Sequence, residues 1–548
     1  MPHVITERCC NDAACVSVCP VNCIHPSPGE ADYLTAEMLY IDPEVCINCG
    51  ACVAVCPVSA IVPDFDLEPE QEIFERINAS FYEVSGRRDY VRLPVPTVGR
   101  SVARTGETLR VAVVGTGPAA SYVVDELLKI RGLDVRVDVF ERLPVPGGLA
   151  RFGVAPDHAQ TKDVLDRFDK TLKRENVRVF LNTEIGTDIT HDELARRYSA
   201  VVYANGASAS RHLGIPGEEL PGSVGAPEFV AWYNGHPDFR EAAFDLSGTR
   251  AVVVGNGNVA LDVARILASD PKTLAKTDIA DHALEALRSS NITEVVVLGR
   301  RDASSAAFTL SEVLGLAQNE DFDVTVDFGG EPGEAADALR ALKLEQLQEL
   351  ADVTPTRKRR IVLRFLSSPV ALIGQDHVEA LEVSHNRMTE SGAHTAVPTG
   401  TVERLETSLV VRSIGYRGRA MAGLPFDASA GTLPNEGGRV IDPASNAPVA
   451  GVYTAGWIKR GPTGVIGTNK KDAAATVDAL IADWESGALG PAELSDDVAA
   501  LLPNAIDYQG WSRIDRQERA EGRRQGRPRV KIVDVEEMRQ VALATESA

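Results

Sequence analysis

The chain has 548 residues, 44% of them hydrophobic, which is too long for one core and calls for roughly three or four domains. With 56 Lys and Arg against 78 Asp and Glu, its formal net charge is −22, which repels nucleic acid and anionic membrane and suits basic partners. No apolar run is long enough to span a membrane and residues 1–7 lack the regions of a secretory signal, so the expected compartment is the cytoplasm.

All nine cysteines lie between Cys9 and Cys56. With no sign of secretion, that clustering points to metal rather than disulfides. Residues 46–57, CINCGACVAVCP, carry Cys46-x2-Cys49-x2-Cys52-x3-Cys56-Pro57. This is the bacterial ferredoxin run, whose fourth cysteine ligates the other of two iron–sulfur clusters. Residues 9–20, CCNDAACVSVCP, repeat the spacing with Asp12 in one thiolate slot. The stretch resembles two-cluster ferredoxins of the seven-iron type. That resemblance implies Cys9, Cys15 and Cys56 on cluster one, and Cys46, Cys49, Cys52 and Cys19 on cluster two, a 4Fe–4S centre. The loop from Cys9 to Cys15 is shorter than in that type and matches an eight-iron spacing with Asp12 as ligand. Cluster one is therefore expected as 3Fe–4S, with an Asp12-capped 4Fe–4S cluster as the alternative. Cys10 is a substitute for Cys9, and Cys23 is expected to be a buried, non-ligating thiol. Residues 1–66 hold nine acids and one base, Arg8, which fits a solvated face or a docking surface for electron partners. Residues 67–108 read as a linker with a short helix within 70–82 and a break at Leu93–Gly99.

Two dinucleotide folds follow. A strand at Val111–Val114 enters Gly115-x-Gly117-x-x-Ala120 and a helix, and a second strand ends in Glu141, 26 residues after Gly115. Glycines there permit a tight turn and close approach of a pyrophosphate, and the acid can accept ribose hydroxyls. Ala251–Val254 enters Gly255-x-Gly257-x-x-Ala260, with Asn256 and Asn258 in the turn, but its next strand ends in Arg300 and Arg301. Two guanidiniums bind a 2′-phosphate that an acid would repel, so this site is expected to take NADP(H) and the first FAD. Residues 408–418 and 452–457 (VYTAGW) return to the flavin domain.

Residues 109 to about 490 resemble the adrenodoxin reductase family of NADPH–ferredoxin reductases. The motifs that carry this are GTGPAA (115–120), RFGVAPDH (151–158), GNGNVALDVAR (255–265), GRR (299–301) and GWIKRGPTGVIGTNKKD (456–472). With the cysteine domain, the whole chain resembles ferredoxin-fused members. The resemblance implies FAD contacts from Ala119, Glu141, Leu149, Ile185, Trp457, Gly464, Val465 and Ile466. It implies nicotinamide-nucleotide contacts from Arg211, Gly255 to Asn258, Arg300, Arg301, Glu312 and Gly464. His158 resembles the family's histidine near the flavin. His158 and Glu312 are the candidate catalytic residues, although a second acid that some members carry three residues after Glu312 is Gly315 here. The expected fold is α/β, two Rossmann-like domains behind an α+β two-cluster ferredoxin domain. Its boundaries are 1–66 for the iron–sulfur domain, 67–108 for the linker, 109–212 and 406–490 for the FAD domain, 213–405 for the NADP domain and 491–548 for a C-terminal extension packed on the flavoprotein. Within that extension, residues 511–531 carry eight bases and three acids, which could dock on the acidic iron–sulfur domain or form an ordinary charged surface.

The implied activity is transfer of hydride from NADPH to FAD, then of single electrons through the clusters to a redox partner such as a ferredoxin or a haem monooxygenase. The protein is expected to act as a monomer, without nucleic acid or membrane. A disulfide reductase would need a cysteine pair near the flavin, and no cysteine follows Cys56. A redox-sensing or electron-input subunit of a larger complex is the competing reading.

Overall fold

A computed structural model describes residues 2–84, 86–95, 99–102, 106–389, 395–490, 492 and 497–544. The cysteine domain has internal near-symmetry. Short helices Ala14–Val18 and Ala51–Val55 each follow a cysteine loop and end on a cysteine, Cys19 and Cys56. Two small antiparallel pairs close it: His3–Ile5 with Ile61–Pro63, and Ile24–His25 with Tyr40–Ile41. The helix Ile73–Phe81 falls where a linker was expected, but it belongs to this domain. Its buried Asn78 accepts from the backbone of Ile5 (3.3 Å) and Ile41 (2.8 Å) and donates to the Ile5 carbonyl, tying both hairpins together. Pro96, Thr97 and Val98, in the expected break, lie outside the described residues.

The first nucleotide domain is a seven-stranded sheet in the order 435–436, 439–442, 447–454, 200–203, 108–114, 134–141, 177–181. Within strand Thr108–Val114, the run Val111–Val114 is apolar and buried on both faces, as a central parallel strand covered by helices requires. The second is a six-stranded parallel sheet ordered 223–225, 409–412, 250–254, 294–298, 360–364, 323–327. Leu409–Arg412 pairs with Arg250–Val254, so the crossing back to the first domain comes after Arg412 rather than at 405/406. There, Ala209–Ser210 and Tyr416–Arg417 form a two-stranded ribbon between the sheets. No helix among the described residues is long and apolar enough to cross a membrane.

Candidate electron-transfer site

Strand register sets both nucleotide turns. Val114 lies opposite Phe140, and the Gly115 N–H donates to the Phe140 carbonyl at 2.8 Å, which brings the turn beside Glu141. Val254 lies opposite Leu298, and Gly255 N–H donates to the Leu298 carbonyl at 3.0 Å, which brings the second turn beside Arg300. The first glycine of each turn has no room for a side chain. At φ +107 a Cβ on Gly115 would lie 2.6 Å from the Ala204 carbonyl oxygen, and at φ +108 one on Gly255 would lie 2.2 Å from that of Ser413. The second glycine has an open face: nothing lies within 4 Å of a Cβ on Gly257, and only the Gly148 Cα, at 3.8 Å, meets one on Gly117. These cradles fit a pyrophosphate approaching backbone N–H groups at the starts of helices Pro118–Leu128 and Asn258–Ala268.

Glu141 ends its strand with the carboxylate already accepting from Thr116 N–H (3.1 Å), Thr116 Oγ1 (2.6 Å) and Leu143 N–H (3.1 Å). It braces the turn, and burial raises its pKa. Leu149, in the helix Gly148–Phe152, and Ile185, beyond the strand Val177–Leu181, are half-buried along the same carboxyl edge of the sheet. Ala119 meets the other half of the domain: a Cβ on Gly456 would lie 2.5 Å from its own. Trp457 follows, its ring 5.4 Å from Tyr416 and its Nε1 donating to the Thr463 carbonyl at 3.1 Å. Gly464 takes φ +78 against Thr468, while the Val465 carbonyl accepts from Thr468 Oγ1 (2.8 Å) and Asn469 Nδ2 (3.1 Å), which fixes the segment Gly464–Ile466.

In the second domain, the Asn256 amide packs over Gly299, and Asn258 accepts from Thr309 N–H at 2.9 Å. Arg300 and Arg301 are exposed, and neither guanidinium has a carboxylate partner among the described residues; Arg301 reaches only the Ser305 carbonyl at 3.5 Å. Arg211 is exposed on the interdomain ribbon, its N–H donating to the Gly415 carbonyl at 3.2 Å.

Between the domains His158 and Glu312 converge on a cluster that motif reading did not resolve. Arg265 is buried and serves three carboxylates: Asp157 (2.6 Å), Asp262 (2.5 Å) and Glu312 (3.6 Å). His158 Nδ1 lies 3.9 Å from Asp262. Burial, with Asp262 beside it, raises the Glu312 pKa. Asp157, Asp262 and Arg265 lie inside the quoted motifs, but only the tertiary fold unites them. Gly315 is exposed with nothing within 4 Å of a Cβ, so the acid near Glu312 is Asp262.

Cys19, Cys46, Cys49 and Cys52 line one cavity with Gly50, His3 and Ile41, which suits four thiolates around one cluster. Cys23 is buried on the same cavity, its Sγ 3.5 Å from Cys19, and its thiol hydrogen bond lowers the pKa of both Cys19 and Cys46. Cys9 and Cys56 pack against the buried group of Cys10, Val58 and Ala60. Burial raises the pKa of Cys9 to about 11 and that of Cys15 well above its ordinary value, and in both the Cys56 charge adds to the rise.

Asp12, expected at a ligand slot, reaches across to the FAD domain. Its Oδ2 accepts from Arg167 Nη1 of the FAD domain at 2.7 Å, and its Oδ1 accepts from Ala14 N–H at 3.0 Å. The acidic face is likewise partly internal. Glu37 accepts from Leu310 N–H (3.0 Å) and pairs with Lys343 (3.6 Å) across the NADP-domain boundary, while Asp32, Asp42 and Glu44 pair with Arg87 and Arg88. The basic C-terminal segment docks on the flavoprotein rather than on the cysteine domain. Glu518 joins Arg151 (2.6 Å) to Arg529 (2.7 Å), and Arg519 meets Asp166. Lys531 and Lys162 share buried Asp278 at 3.0 and 2.6 Å, and Arg527 pairs with Asp281.

Two facing dinucleotide domains joined to a two-motif cysteine domain define a flavoprotein-type pyridine nucleotide oxidoreductase with a fused iron–sulfur module. Residues 39–62 match the 4Fe-4S binding domain family, and residues 109–315 match the pyridine nucleotide-disulphide oxidoreductase family. The chain is 47% identical over 564 residues to the probable ferredoxin/ferredoxin–NADP reductase of Mycobacterium leprae, covering 99% of this chain and 98% of that one. It is 39% identical over 478 residues to the mitochondrial NADPH:adrenodoxin oxidoreductase of Bos taurus, covering 82% and 95% of the two chains. The structure of Mycobacterium tuberculosis FprA in complex with NADPH matches with a TM-score of 0.75 at 45% identity, covering 80% of this chain and all of that one. The chain belongs to the adrenodoxin reductase family of ferredoxin–NADP reductases, in its ferredoxin-fused form.

Proposed function

We propose that the protein is an NADPH–ferredoxin oxidoreductase whose electrons leave through its own cysteine domain. The observation that carries this reading is the direct seating of a cysteine loop on the segment that leads into helix Thr468–Glu485, which packs on the helix Pro118–Leu128 of the first nucleotide turn: the Gly467 N–H donates to the Cys10 carbonyl at 2.8 Å. FAD held at the Gly115 turn would supply two-electron acceptance of hydride from NADPH and one-electron donation onward. Gly115, Gly117 and Glu141 would hold that FAD, while Gly255, Gly257, Arg300 and Arg301 would hold NADPH by its pyrophosphate and 2′-phosphate. Arg265 fixes Asp262 and Glu312 beside His158, which would give the nicotinamide end of the site an oriented polar wall.

Cys9, Cys15 and Cys56 would hold cluster one as 3Fe–4S, and Cys19, Cys46, Cys49 and Cys52 a 4Fe–4S cluster two. The acceptor, a ferredoxin or a haem monooxygenase, would meet the exposed rim of the second site, where Ile47 is 59% and Val53 39% exposed beside exposed Cys49. A disulfide substrate is disfavoured because no cysteine follows Cys56. The test is steady-state reduction of a ferredoxin by the isolated, cluster-loaded protein. NADPH should support turnover without any further subunit, whereas dependence on a partner chain would favour an electron-input subunit.

A further inference from the structure

The second slot of the first cysteine motif is occupied by Asp12, whose side chain turns toward the FAD domain. Asp12 is 5% exposed, and its carboxylate points out of the cysteine domain into the FAD domain. Arg167 Nη1 donates to Oδ2 at 2.7 Å, and Lys470 Nζ stands 3.8 Å from the same oxygen while donating to the Asp12 carbonyl at 3.0 Å. The remaining oxygen accepts from the N–H of Ala14, the first residue of the helix Ala14–Val18. Arg167 is itself held in place, 3.5 Å from Asp125 and with its guanidinium carbon 5.7 Å from the centre of the Tyr122 ring. Two residues before Asp12, the Cys10 carbonyl accepts the hydrogen bond from Gly467, and Gly467 directly follows Gly464–Ile466. The fit at Gly467 leaves no slack: a Cβ there would lie 2.2 Å from Asp12 N, 2.3 Å from Asn11 C and 2.3 Å from the Cys10 oxygen. Real Cβ atoms do not approach backbone so closely, so this glycine is required by the contact between domains.

We propose that Asp12 is a positioning residue rather than an iron ligand: with Arg167 and Lys470 it latches the Cys9–Cys15 loop onto the flavin-side loop, and Gly467 is the matching seat. This rests on the oxidoreductase reading above and adds a residue to it. The latch explains why a carboxylate occupies a thiolate slot. A buried carboxylate needs a charged partner, and the FAD domain supplies two cations here. Cluster one is left with three thiolates from this motif pair, Cys9, Cys15 and Cys56, and its loop is held against the reductase. The rim of cluster two stays exposed.

The test uses the full-length, cluster-loaded protein and the variants Asp12→Asn, Arg167→Gln and Gly467→Ala. Amide hydrogen exchange over residues 9–15 and 464–470 reads the seat, while iron content and electron paramagnetic resonance read the clusters. Losing the charge-assisted contact should speed exchange at both segments by about tenfold or more in Asp12→Asn and in Arg167→Gln. Iron content and the cluster-one spectrum should match the parent in both. In rapid mixing with NADPH, reduction of the clusters should slow while reduction of a small dye is unchanged in Arg167→Gln. Gly467→Ala should show the largest exchange effect; if it fails to fold, the two charge variants still decide. If Asp12→Asn loses iron or changes the cluster-one spectrum with exchange unaltered, Asp12 is a ligand and the proposal falls. If the parent's clusters are never reduced by NADPH, the oxidoreductase reading fails instead, and the exchange and iron results still judge the latch.

Discussion

Arg300 and Arg301 follow the strand Glu294–Leu298, just beyond Gly299, which occupies the place that Glu141 has at the end of the corresponding strand of the first domain. Both are exposed, and the weak 3.5 Å contact from Arg301 to Ser305 is easily lost without harm to the fold. Replacing either by Ala therefore removes positive charge from the nucleotide site with little structural cost, because surface changes of this kind stay within about 0.5 kcal/mol. A charge-assisted hydrogen bond to a 2′-phosphate is worth about 1.5–3 kcal/mol. At about 1.4 kcal/mol per tenfold, each variant should bind NADPH roughly tenfold to a hundredfold more weakly. NADH lacks the phosphate and should be nearly unaffected. Titration of the oxidised protein with both nucleotides, supported by kcat/KM for dye reduction, measures the ratio. Raising salt should shrink the NADPH advantage of the parent more than that of the variants, since the contact is exposed to screening. Equal weakening of NADPH and NADH, or none, would refute the assignment of this pair to the 2′-phosphate.

Asp278 sits between buried Lys162 and Lys531, which hold its pKa down against the opposing effect of burial. Asp278→Ala would leave two ammonium groups without their shared partner and should cost about 3–5 kcal/mol in urea unfolding. Since its folded pKa is depressed, the parent's advantage is present above the ordinary carboxylate range and is lost as pH falls toward the folded value. Glu312 behaves oppositely. Burial raises its pKa, so the folded state holds its proton to higher pH than the unfolded state, and stability falls as pH rises from the ordinary carboxylate value through the raised one. Glu312→Gln should flatten that slope, which unfolding curves across the interval will show. Iron analysis of the intact protein should give about seven or eight irons per chain, as two clusters require; about four would mean that the Cys9–Cys15 motif is empty.

Much of this was legible in local sequence. Each glycine turn is encoded within a strand–turn–helix segment, and the strand-end residues Glu141 and Arg300 follow from parallel register. The cysteine spacing likewise located the cavity lined by Cys19, Cys46, Cys49 and Cys52. What sequence did not disclose depends on partners far along the chain. Asp12 falls at a ligand spacing, and nothing local says that Arg167 and Lys470 will take its charge. The bases of 511–531 left open docking on the acidic cysteine domain or an ordinary charged surface; Asp166 and Glu518, with Asp278 and Asp281, receive them. Helix Ile73–Phe81 read as linker because its anchor, Asn78, works through the backbone of Ile5 and Ile41. Leu409–Arg412 is an apolar run with no mark of which sheet it will join.

Whether electrons from NADPH leave through the fused cysteine domain is decided by anaerobic rapid mixing of the intact protein with NADPH. Flavin absorbance and the paramagnetic signals of the clusters should be followed in the same reaction. The clusters should become reduced at least as fast as the protein turns over with a ferredoxin acceptor. Clusters that stay oxidised while the acceptor is being reduced would contradict that route.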